Sequence, residues 1–222
     1  MTGKEKEELS RATAVVWLRQ SLADDVDELM KLEGFKRTAR SVSYTRAWGD
    51  GKQKVDFELI VRPRYAADAI QVSMSASLIS SEISEIARRM LPEGEDRAVY
   101  GNVVQRRVLD QIARNPPVLA FRQENELRES LQELKRWLQV AVLPHLSARK
   151  SVRDFTLEGV RELQSRSSDD GLPRGARPVI LAAAQKYLGL QEEALQTLEF
   201  AYPLTSSERD YYRRAFDVLH GS

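Results

Sequence analysis

Acid–base and metal chemistry near neutral pH most often recruits histidine, and the chain has two, His145 directly after Pro144 and His220 close to the C-terminal end. They lie in separate segments with no H-E-x-x-H spacing and no ligand cluster, so no metal or other cofactor is expected. The pair Asp169 and Asp170 falls in a stretch rich in Ser, Gly and Pro and reads as a solvated turn. Asp56 and Glu58 alternate onto one strand face, which brings two carboxylates together as general acid–base work requires. Nothing in their surroundings distinguishes them from a soluble exterior. Ser73, Ser75 and Ser77 also alternate, and without a G-x-S-x-G elbow they read as small hydroxyls on a sheet surface. The nearest approach to a phosphate loop, Gly49-Asp50-Gly51-Lys52, lies between two strands and does not lead into a helix. The expectation is a protein that is not an enzyme.

Composition narrows the partners. Lys and Arg number 34 against 33 Asp and Glu in 222 residues, a formal charge of +1, so no large field draws the chain to nucleic acid or an anionic membrane. Basic pairs occur at Lys36-Arg37, Arg62 with Arg64, Arg88-Arg89, Arg106-Arg107 and Arg213-Arg214, each near acidic residues and without the interleaved aromatics that stack bases. There is no cysteine, which fits a reducing compartment. No stretch approaches the roughly 18 apolar residues of a membrane span and no signal-type segment opens the chain, so a cytoplasmic protein is expected.

Residues 4–33 repeat apolar side chains at spacings of three and four, which predicts a helix ended by Gly34. From 35 to 78 the period becomes two. Val55, Phe57, Leu59 and Val61 alternate with Lys54, Asp56, Glu58 and Arg62, and Ile70, Val72, Met74, Ala76 and Leu78 alternate with Gln71 and the three serines. With a strand from about 40 to 48, these predict an antiparallel meander whose apolar face is covered by helices. A second helix is expected over 80–91. In 95–121, Val103, Val104, Val108, Leu109 and Ile112 read as helix and 118–121 as strand. Beyond that the pattern is helical: a stripe from Leu127 to Val142 ending at Pro144, a helix over 152–163, a hinge loop over 165–178, a helical hairpin turning at Gly189, and a final helix with Thr205 and Glu208 as its capping box. The expectation is an α+β fold, with an antiparallel sheet of at least three strands covered by helices in a domain over 1–121 and an all-helical region over 122–222 packed on it.

Two resemblances bear on function. The segment LAAAQKYLGLQEEALQTLEFA resembles one tetratricopeptide-type helical hairpin, which implies a unit that docks on neighbouring helices, because a stable array needs three or more. Leu29, Gly34, Phe35, Lys36, Arg37 and Tyr44, with the runs VDFELIVR and IQVSMSAS, resemble a bacterial family of domains of unknown function in which a helix leads through a "GFKR" turn into an antiparallel sheet. That resemblance implies non-enzymatic partners, including immunity proteins that neutralise toxins of neighbouring bacteria. The absence of an acidic excess departs from the nuclease-immunity pattern. The expected function is therefore protein binding, toxin neutralisation being its sharpest form, with a helical adaptor or an unrecognised carboxylate enzyme as alternatives. The expected contact surface is the polar sheet face: Ser73, Ser75 and Ser77, whose small side chains lose little entropy, beside the charges of Asp56, Glu58 and Arg62.

Overall fold

The structure, a computed structural model, describes residues 10–64, 66, 68–165 and 175–221. The fold is α+β: a five-stranded antiparallel sheet with helices, and every element described after the last strand is helical. In chain order the elements are α1 (Arg11–Asp25), α2 (Asp27–Leu32), β1 (Ser43–Trp48), β2 (Gly51–Val61), β3 (Ile70–Ile79) and α3 (Ser81–Met90). A 3-10 segment (Asp96–Asn102), β4 (Val103–Val108), α4 (Leu109–Ile112) and β5 (Leu119–Phe121) follow. Next come α5 (Glu124–Trp137), α6 (Leu143–Ser147), α7 (Val152–Gln164), α8 (Ala176–Tyr187), α9 (Gln191–Ala201), α10 (Glu208–Tyr211) and α11 (Arg213–His220). The strand order is β1-β2-β3-β4, and β5 pairs with the start of β3, Ile70 opposite Phe121 and Val72 opposite Leu119.

The chain divides into two compact units that interleave in sequence. The first takes the residues up to Arg46 with Val55–Ala76 and Val108–Pro144, and the second takes Ala47–Lys54, Ser77–Arg107 and the residues from His145 on. Each draws on residues from both sides of position 121.

In the first unit, Ser10 caps α1 by accepting the Thr13 N–H, and α1 packs on α5 through faces that include Ala14, Leu18, Leu127 and Leu131. The helix expected over 4–33 is broken at Val26, where φ leaves the helical range before α2 begins; residues 1–9 lie outside the described part. Gly34, at φ +80, then closes α2. The amides of Gly34 and Phe35 reach back to the carbonyls of Lys31 and Met30, a cap that needs a left-handed residue. Phe35 is buried, and Lys36 pairs through its backbone with Thr45 of β1. Arg37 makes two bonds to Asp27, at 2.8 and 2.6 Å, while the buried Tyr44 hydroxyl donates to the same carboxylate at 2.6 Å. Burial alone pushes the Asp27 carboxyl up, but the bonds from Arg37 and Tyr44 outweigh it and hold the group below the usual carboxylate range.

The alternation is observed along β2 and in β3 as far as Met74: Val55, Phe57, Val72 and Met74 are buried and Leu59 is half-buried, whereas every residue from Met74 to Leu78 is buried. Val61 departs from the alternation and is exposed. The helical reading of 103–108 is corrected. Val103–Val108 is strand β4, because its β-branched residues suit a pleated ladder and the left-handed pair Gly101 and Asn102 turns the chain onto the edge of β3. The stripe does not stop at Pro144 either. A π-turn over Leu138–Val142 joins α5 to α6, and the wider turn accommodates a proline that has no N–H and whose ring crowds the carbonyl four residues earlier.

In the second unit, Asp50 at the tip of the β1–β2 hairpin caps α3. The Ser80 hydroxyl donates to it at 2.6 Å, and the Ser81 hydroxyl and the Glu82 N–H each donate at 3.2 Å. Burial tends to raise the Asp50 carboxyl, and these bonds lower it below the usual range. The Gly49–Lys52 turn thus brings its own anion to a helix N-terminus. Thr205 and Glu208 form no capping box; the Glu208 N–H bonds the Ser206 hydroxyl instead, because α10 begins only at Glu208. The hinge expected over 165–178 lies largely outside the described residues, as do Asp169 and Asp170, and Ala176–Pro178 already belong to α8.

Replacing Asp27 by Asn leaves the 4 % exposed Arg37 guanidinium without its carboxylate. Because Asp27 itself is 41 % exposed and screened by water, the expected loss is about 1–2 kcal/mol, read as a lower urea midpoint. The wild type carries this stabilisation above the ordinary Asp pKa and loses it as pH falls through the depressed native value. The variant shows a flatter acid limb in the same titration.

Candidate binding groove

The residues expected to contact a partner are distributed unevenly. In the first unit Asp56 is half-buried and accepts the Ser43 hydroxyl, while Glu58 and Arg62 are exposed and Ser73 is half-buried. Asp56, Glu58 and Arg62 all have interaction partners of their own. Asp56 and Glu58 border a hollow of about 360 Å³ that also takes Arg11 and Val15 of α1. Ser75 is 1 % exposed, with no hydrogen-bond partner for its hydroxyl among the described residues, and Ser77 of the second unit is 4 % exposed. The exposed serine face is therefore corrected. Both faces of β3 are covered along this stretch, which a period of two cannot reveal.

His145 is not poised for proton transfer near neutral pH. His145 receives an Arg149 guanidinium N–H on Nδ1 at 3.2 Å; since Arg only donates, the proton of the neutral ring sits on Nε2. Burial first, and then the charges of Arg149 and Arg107, push the imidazole down to about 3. His220 is exposed, and its Nδ1 lies 2.8 Å from the Phe216 carbonyl within α11, so that nitrogen donates. Among the described residues no group of three or more His, Asp or Glu is placed to hold a metal ion, and no helix is long and apolar enough to cross a membrane.

Sequence reasoning missed a cluster of arginines around Glu162. Arg149 bonds Glu162 Oε1, while Arg107, at 2.6 Å, and Arg177 bond Oε2. Side-chain exposure is 5 % at Arg149, 6 % at Arg177, 12 % at Arg107 and 20 % at Glu162. The Nε atoms of Arg107 and Arg149 have no acceptor among the described residues, a desolvation cost that the bonds to Glu162 offset. The Arg149 carbonyl, in turn, accepts both Trp48 Nε1 at 3.0 Å and Gln53 Nε2 at 2.7 Å. The cluster is a largely buried framework.

Above this framework, α7 and α9 each pack on α8. Small residues allow the approach. Ala182, Ala183 and Ala184 are fully buried, and a Cβ added at Gly159 would lie 2.2 Å from a Leu181 methyl. The three helices enclose a groove of about 300 Å³, at the small end of the range for binding pockets. Arg153, Leu157, Val160 and Arg161 line it from α7, Gln185 from α8, and Glu193, Thr197 and Phe200 from α9. Leu157 and Phe200 are 52 % and 54 % exposed, large apolar side chains held in water at the groove. Gln185 is only 5 % exposed, and its Oε1 has no hydrogen-bond partner among the described residues. An AAAQKY run offers one sequence signal for this, a lone amide inside an alanine-rich helix, but not that the amide is buried at a groove.

No protein-family model, no curated protein and no solved structure matches the chain.

Two outcomes follow from the cluster. Glu162→Gln leaves three buried guanidinium groups facing a neutral amide, with an expected destabilisation of roughly 3–5 kcal/mol, visible as a fall in Tm of about 10 °C. For His145 the native pKa lies below the unfolded value, so the unfolded chain takes up its proton first. The residue's contribution to stability is complete above about 6.5 and is lost progressively as pH falls toward about 3, by at most about 1.4 kcal/mol per pH unit. His145→Asn removes that part of the slope in denaturation curves measured between pH 7 and pH 4.

Proposed function

We propose that the chain is a non-catalytic protein-binding protein and that the groove of α7, α8 and α9 is its contact surface. The observation that carries this reading is the pairing of two large exposed apolar side chains, Leu157 and Phe200, with a buried, unsatisfied amide at Gln185 in the same hollow. A monomer gains nothing from that arrangement in water, whereas a partner that covers Leu157 and Phe200 and meets Gln185 removes both costs at once. Support for a non-catalytic role comes from the side chains best suited to chemistry: His145 has its lone pair engaged, Ser75 and Ser77 are covered, and Asp56 is hydrogen-bonded.

Toxin neutralisation in a bacterial cytoplasm is the sharper form of the proposal, and it rests on the resemblance of the Gly34–Arg37 turn and the following strands to a family containing immunity proteins. An adaptor within a larger complex is the second form, favoured by the α8–α9 hairpin, whose Gly189 turn and buried Ala194 match the tetratricopeptide-like pattern. The two differ in what the partner does when it is produced alone.

The test is capture of partners from the native host with the full chain, followed by titration of the purified partner against wild type, Leu157→Asp and Phe200→Asp. Both substitutions replace exposed side chains, so Tm stays within about 2 °C while affinity falls at least about 100-fold, the equivalent of two or more tenfold steps. A purified partner bound equally well by all three proteins removes the groove from the proposal, and failure of the chain to bind any purified protein at micromolar concentration removes the proposal itself. Growth arrest by the partner, relieved on co-expression, selects toxin neutralisation over the adaptor.

A further inference from the structure

The chemistry of the groove restricts what kind of segment it takes. Gln185 is 95 % buried by its 5 % exposure, and its Oε1 acceptor has no donor among the described residues, while the Nε2 donor stands beside it in the same planar amide. A peptide unit in an extended chain is the complement of a side-chain amide, since it offers one N–H and one C=O that are not already used. A helix offers neither along its length, because each backbone group is bonded four residues away.

The walls add a second restriction. Arg153 stands on the α7 side and Glu193 on the α9 side, so the walls differ in sign, whereas Arg161 is already paired with Glu158 at 2.6 Å. Successive side chains of an extended segment point to opposite sides. An acidic residue next to a basic one therefore meets both walls with complementary charge, and an apolar residue covers Leu157 and Phe200.

We infer that the groove binds an extended peptide segment of the partner, reading one backbone peptide unit through the Gln185 amide and, through its walls, an apolar residue next to an adjacent acidic–basic pair. The inference rests on the protein-binding reading and specifies the partner's conformation and side-chain pattern.

The test uses a displayed library of random linear 12-residue peptides panned on the full chain, with each selected peptide resynthesised and titrated. Selected peptides share an acidic residue directly beside a basic one, with an apolar residue next to the pair. Gln185→Met keeps the side-chain length without the amide, and binding weakens about 10-fold or more while Tm is unchanged or higher, because an unsatisfied buried group has been removed. N-methylation of successive peptide amides finds one position that costs wild type about 10-fold and costs the Gln185→Met variant almost nothing, so the two losses are coupled. If the variant cannot be purified folded, the N-methyl scan on wild type with Arg153→Glu and Glu193→Arg still decides the matter: a single sensitive amide, together with exchanged charge preference at the two charged positions, supports the inference. Peptides with apolar residues at helical spacing, bound equally by wild type and Gln185→Met, overturn it while leaving protein binding at the groove intact. A library that yields no peptide displaced by Leu157→Asp overturns it as well, and a partner protein whose binding survives Leu157→Asp and Phe200→Asp shows the broader groove reading to be the part that failed.

Discussion

One carboxylate fixes the framework of the second unit. Glu162 receives guanidinium groups from the end of β4, from the turn before α7 and from the first turn of α8, and each would otherwise be a nearly buried cation without a counter-charge. Such a cluster adds little stability compared with a well-packed apolar core of the same volume. It does penalise every arrangement that separates the carboxylate from the cations. Because Glu162 lies on α7 and Arg177 on α8, the bond between them sets how those helices sit, and Gly159 against Leu181 sets how closely. The groove inherits its width from these two contacts. Trp48 and Gln53 tie the hairpin to the same place through the Arg149 carbonyl, so the ion cluster and the sheet end share one anchor.

The "GFKR" segment gains a physical explanation that is separate from function. Gly34 supplies the left-handed cap, Phe35 fills the core, Lys36 starts the pairing with β1 through its backbone, and Arg37 with Tyr44 closes on Asp27. Every residue of the run serves the turn from α2 into the sheet. A resemblance carried by these positions speaks first of a shared way of entering a sheet, and the contact surface proposed above lies elsewhere in the chain.

How much was legible in the sequence depended on the range of the interaction. Periodicity gave β2 and β3, and the single glycines at 34 and 189 gave the helix ends, because alternation and caps are local. Val103–Val108 was misread because its valines fit both periods, and only pairing with β3 selects the strand. The burial of Ser75 and Ser77 was invisible for a related reason: small hydroxyls are compatible with either a wet face or a tightly covered one. Arg107, Arg149, Glu162 and Arg177 are scattered over seventy positions among many other charges, so nothing local marks them as a cluster, and Gln185 looks like any polar position of a helix until α7 and α9 close around it.

The cap at α3 has a kinetic side. Asp50 reaches the first turn of that helix from thirty residues upstream, so the charge that satisfies its Glu82 amide arrives only when the β1–β2 hairpin has formed its tip. Ser80 offers a local cap to the Ile83 amide in the meantime. A short helix of ten residues is marginal by itself in water. The order of assembly is thereby biased: the α3 helix lengthens its lifetime after the hairpin closes, and the slower step of bringing distant segments together governs a helix that a local reading would place among the earliest structures to form.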